Sequence, residues 1–114
     1  MDAQTHDWIQ HDIGLTRAVL AMKPRALNKL YTPAQIEYER WLHAAKVRAY
    51  RDLQAGQAMD ALTQAVADYL LAYAEAHVRH WQKNCAAARE AVRAAGVRLE
   101  ADYTNARRGE RVNR

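Results

Sequence analysis

Apolar residues recur every three or four positions through most of the chain, the spacing that gathers side chains on one face of an α-helix. The longest such stripe is Met59, Leu62, Val66, Leu70, Tyr73, His77, Trp81, Cys85, Ala88, Val92 and Ala95. It runs through a stretch from Gln57 to Ala95 that has neither proline nor glycine, so the pattern predicts one continuous helix over 57–95. At roughly 1.5 Å per residue that helix would measure about 58 Å, longer than a compact domain of this size is wide. Its apolar side therefore needs cover along the whole length.

Two earlier helices are predicted. The first spans about 6–22, with Thr5 as its cap and Trp8, Ile9, Ile13, Leu15, Val19, Leu20 and Met22 on a broad apolar face. Pro24 ends it, and Lys23 to Tyr31 reads as a connector with one turn of helix around Leu27 to Leu30. The second spans about 33–54 and has the clearest start signal: Thr32 as N-cap, Pro33 at the first helical position, and Glu37 and Glu39 near the positive end of the dipole. Ile36, Trp41 or Leu42, Ala45, Ala49 and Leu53 supply its buried side, and Gly56 stops it.

The short link at Gly56 predicts an antiparallel hairpin between the second and third helices. Charge agrees, since Arg48 and Arg51 would meet Asp60 and Asp68 while Glu37 and Glu39 would meet His77 and Arg79. Each exposed pair contributes only about 0.2–1 kcal/mol. The second helix is too short to cover Trp81 to Ala95, which leaves that half to the first helix or to a second copy of the chain. Gly96 reads as a C-terminal cap, and 97–114 as a basic, partly flexible tail. The expected fold is all-α: an elongated three-helix arrangement built on an antiparallel helical hairpin, in one domain over 1–96, open to completion as a homodimeric bundle.

Composition narrows the function classes. The chain has 114 residues, a formal net charge of +4 and a single cysteine, so no intrachain disulfide can form and Cys85, on the apolar stripe, reads as a buried thiol. Charges of both signs are interspersed, which permits an acidic partner without demanding one. The N-terminal stretch lacks the basic and apolar regions of a signal peptide. The most hydrophobic segment, Ala65 to Ala76, is broken by Asp68 and closed by Glu75, too short for a membrane span. The expectation is a cytoplasmic protein with no membrane contact. Usage rich in Ala and in Arg over Lys is associated with bacterial, phage or plasmid genes.

No constellation for chemistry is complete. His77 and His80 could give two imidazoles to a metal, with Glu75 near in sequence, but a site needs three or four ligands. The pairs Asp7–His11 and Glu39–His43 stand one helical turn apart, a spacing that also stabilises helices without any catalysis. There is no serine for a nucleophile, and no glycine-rich phosphate loop or zinc-finger spacing. The expectation is a non-enzymatic protein with no cofactor and no metal, an adaptor, accessory or inhibitor that binds a protein partner through helical surfaces and self-associates. Trp8, Trp41, Trp81, Arg79, Lys83, Arg89 and Arg93 are the candidate partner-binding residues, because exposed aromatics and arginines anchor interfaces. The alternative is nucleic-acid binding, with Arg107, Arg108, Arg111 and Arg114 as a basic arm and Arg40, Lys46, Arg48 and Arg51 as further phosphate contacts.

Overall fold

The computed structural model describes residues 1–80 and 86–112. Among them are five α-helices and no strand: α1 (Ala3–Leu20), α2 (Pro24–Leu30), α3 (Pro33–Ala55), α4 (Ala61–His80) and α5 (Ala86–Val112). None is long and apolar enough to cross a membrane.

Local chemistry sets the boundaries. Asp2, not Thr5, caps α1: its Oδ1 accepts from the Thr5 amide at 2.8 Å, which holds this carboxyl below its ordinary range. Pro24 opens α2 as its first residue, where the missing N–H costs nothing. At α3 the Thr32 hydroxyl accepts from the Gln35 amide at 3.2 Å while the Gln35 side chain accepts from the Thr32 amide at 2.8 Å, a reciprocal capping box. Gly56 then ends α3 in the left-handed region, φ 65°, a conformation glycine adopts without the strain of a Cβ. Asp60 starts α4 by accepting from the Thr63 amide at 2.8 Å.

One core joins four of these helices. Ile9 and Ile13 from α1, Leu42 and Ala49 from α3, Val66, Ala67, Leu70 and Ala74 from α4, and Leu99 from α5 are buried together.

The continuous helix expected over 57–95 is not formed. Helix α4 ends at His80, and α5 returns antiparallel to it. Glu75 and Arg79 share a groove with Ala87, Ala88 and Ala91, the Tyr69 ring lies 3.6 Å from where a Cβ on Gly96 would stand, and Ala61 and Leu62 face Asp102 and Asn105. The physical reason is cover. Doubling back sets Ala88, Ala95 and Leu99 against α4 of the same chain, and the longest extent of the molecule is 46 Å, shorter than the rod would be. Gly96 consequently lies inside α5 instead of capping a helix, and 97–112 is helical instead of a flexible tail. Trp81 to Cys85 lie outside the described residues.

The expected charge pairing holds in part: Arg48 of α3 lies near enough to help hold the Asp60 carboxyl below its ordinary value, behind the Thr63 hydrogen bonds, but the pairing of Glu37 and Arg79 differs. Glu37 binds Arg107 of α5, not His77 or Arg79. Arg79 instead pairs with Glu75 one turn away on its own helix, at 3.0 Å.

Candidate functional site

Three features hold the chemistry of this molecule: a buried ion pair, a ring cluster, and a groove between α4 and α5.

The ion pair crosses from α3 to α1. Lys46 Nζ lies 2.9 Å from Asp12 Oδ2, with side-chain exposures of only 4% and 5%, and donates a hydrogen bond to Thr16 Oγ1 at 2.7 Å. The Tyr69 ring stands 5.4 Å from the ammonium. Lys46 was a candidate phosphate contact; the structure encloses it instead. The signal was present, because Lys46 is four residues from Leu42 and three from Ala49, and Asp12 stands between Ile9 and Thr16 at the same spacing. Opposite charges on the inward stripes of two helices mark such a pair.

This enclosure shifts the groups around it. Burial pushes the Tyr69 phenol far up, with the Asp12 carboxylate adding to the effect. Burial raises the Glu39 carboxyl too; Lys46 opposes that shift and Asp12 reinforces it. His43 is driven down, by burial first and then by the positive charges of Arg17 and Lys46. Its Nδ1 is buried without a hydrogen-bond partner. A catalytic lysine needs a substrate at its nitrogen, and here Asp12, Thr16 and Tyr69 occupy that space. The pair fastens α1 to α3.

The ring cluster fastens α1 to α4. Trp8 stands 4.3 Å from His77 and 5.3 Å from His11, between ring centroids, and His77 stands 4.1 Å from Tyr73. His77 Nδ1 is 2.8 Å from the Tyr73 carbonyl, an acceptor only, so this nitrogen donates and is committed inside α4. His6 Nδ1 meets the Tyr50 hydroxyl of α3 at 2.7 Å. Among the described residues no three His, Cys, Asp or Glu side chains converge on a metal position; the His80 side chain lies outside them.

The sequence candidates are dispersed. Trp8 is half-buried in the ring cluster, and Trp41 is half-buried against Tyr38 and Tyr103, at 5.9 and 4.6 Å. Burial also pushes the Tyr38 phenol far up. Both tryptophans therefore serve packing within the chain. Arg79, Arg89 and Arg93 are exposed near the joined ends of α4 and α5, and Arg93 Nε donates to Glu90 at 3.0 Å. Arg107 is committed to Glu37 and to the face of Tyr103, while Arg108 is exposed. Arg111 belongs to α5; its side chain, and Trp81, Lys83 and Arg114, lie outside the described residues. A basic stretch that pattern reading passed over is Arg17, Lys23, Arg25 and Lys29, all exposed, with no acidic residue between Asp12 and Glu37.

The α4–α5 groove faces away from α1 and α3. On α4 it follows Ala61, Ala65, Asp68, Ala72, Glu75 and Arg79, one residue per turn on a single face. On α5 its wall is Ala88, Ala91, Ala95, Arg98 and Asp102. Alanine makes the floor and charges of both signs make the rim.

No family model matches the chain, and searches of curated proteins and of solved structures return no match.

Proposed function

We propose that this protein is a non-enzymatic helical binding protein that meets a protein partner through the surface formed by α4 and α5. One observation carries the reading. Helix α5 runs for 27 residues, yet Leu99 is its only fully buried side chain among the described residues. Ala87, Ala91, Ala94, Val97 and Ala101 are exposed, with Val97 open to 59%. A helix this long, apolar on more than its packed side, is suited to a second helical neighbour. The wide, shallow groove suits a macromolecule better than a small substrate, which needs enclosure on most of its surface.

Acidic rims weigh against nucleic acid on this face, because Asp68, Glu75 and Asp102 would stand among phosphates. The test is site-specific photo-crosslinking, with a benzophenone amino acid placed at Ala91, Val97 or, as control, Leu15 on α1. Protein adducts at the α5 positions and not at Leu15 support the reading. Equal or absent adducts at all three positions reject it.

A further inference from the structure

The binding surface proposed above has a definite occupant: we propose that the α4–α5 face packs against the same face of a second copy of this chain, closing a four-helix bundle of two α4 and two α5 helices. This rests on the reading of that face as a protein-binding surface and names what fills it.

The register is fixed within the chain. Gly96 beside Tyr69 sets Asp68 level with Arg98, Ala72 with Ala94, Glu75 with Ala91, and Arg79 with Ala87. A two-fold axis parallel to the helices would lay α4 of one copy over α5 of the other at those same levels. Asp68 then meets Arg98 of the other copy, and Ala72 meets Ala94. Glu75 and Arg79 each meet an alanine, small enough to let a long side chain pass over it. The only charge-to-charge contact is between opposite signs, and the symmetry makes it twice. Every helix is antiparallel to both neighbours, as in an up-and-down bundle with compensating dipoles. The other two-fold arrangement, with the axis across the helices, lays α4 on α4 and brings Glu75 onto Asp68; repulsion disfavours it.

The groups are free to make this contact. Asp68 Oδ1 accepts from Gln64 at 2.9 Å, and among the described residues no ion pair engages either Asp68 or Arg98. From Ala61 to Arg79 the face is about 27 Å long at roughly 1.5 Å per residue, and two helices are about 20 Å wide. That footprint is on the order of the ~800 Å² each partner gives to a standard interface. A lipid surface would have to take in five charged groups, and a nucleic acid would meet three carboxylates.

The experiment is sedimentation velocity on the full chain between about 5 and 100 µM, with circular dichroism to check helix content. The wild type is expected to be a dimer. Asp68→Arg and Arg98→Asp should each weaken it by about tenfold or more, because each sets like charges opposite one another twice. The double swap, D68R with R98D, should restore it. Both positions are exposed, so the fold should tolerate them. A wild type that stays monomeric at 100 µM, a dimer indifferent to both single changes, or a double swap that fails to recover would overturn the proposal. A monomer whose α5 photo-adducts to another protein vanish with R98D would overturn it while leaving the proposed function standing. A monomer without adducts would overturn both.

Discussion

Removing the Lys46 side chain is the sharpest test of how α1 is held. In Lys46→Ala the buried Asp12 carboxylate loses its counter-charge, and Thr16 loses its donor. Breaking a buried ion pair from one side costs about 3–5 kcal/mol. For 114 residues the unfolding entropy is about 0.24 kcal/mol/K, so the thermal midpoint should fall by roughly 12–20 °C. Urea titration at pH 7 should show a lower midpoint with little change in slope. Replacing both partners by apolar groups, Asp12→Leu with Lys46→Met, should be far milder than the single change, since the desolvation cost goes with the charges. A loss below about 1 kcal/mol for Lys46→Ala, or a double variant as unstable as the two singles combined, would refute the view that enclosure of this pair dominates its energetics.

Other outcomes follow from the same geometry. His43 has its proton affinity depressed by burial and by Arg17 and Lys46, so the unfolded chain binds its proton more readily than the folded one. Stability should therefore drop as pH falls below about 6.5 and level off under the folded value; His43→Leu should flatten that slope in melts between pH 7 and 5. Gly56→Ala should destabilise by about 1–2 kcal/mol because φ is 65° there. Gly96→Ala should instead stabilise by up to about 1 kcal/mol, since a Cβ would meet Tyr69 at an ordinary 3.6 Å inside a helix. Leu99→Ala should cost about 2–5 kcal/mol by denaturant titration, its side chain being 1% exposed.

How far the sequence carried the fold depends on what signal each element had. The start of α3 was legible because Thr32 and Pro33 act locally, and the structure adds Gln35 to the same cap. The stop at Gly56 was legible for the same reason. The inward faces of α3 and α4 followed from periodicity: Ile36, Leu42, Ala49, Val66 and Leu70 are all buried. Lys46 sits at an inward position of α3, and what allows its burial there is a partner on another helix, Asp12, which the period of α3 alone does not show. Trp8 and Trp41, candidates either for interface contacts or for packing, are half-buried among rings of neighbouring helices that no single helix could reveal.

The reversal between α4 and α5 had no local signal at all. Neither glycine nor proline stands between Gln57 and Ala95, and the period of the apolar stripe passes through without a phase change. Local propensity favours the rod there, and tertiary burial outweighs it. Without the return Leu99 would stand in water, whereas folding back buries it fully and half-buries Ala88, Val92 and Ala95, at about 25 cal/mol for each Å² removed from solvent. The same doubling explains why the molecule still has an open helical face. Helix α5 packs along α4 and meets α3 through Tyr103 and Arg107, and the sides of α4 and α5 turned from those contacts remain as the α4–α5 groove. A long helix that must be covered all along its length was the right requirement. Its solution moved the uncovered surface from the end of a rod to the face of a hairpin, where Asp68 and Arg98 stand level on opposite walls.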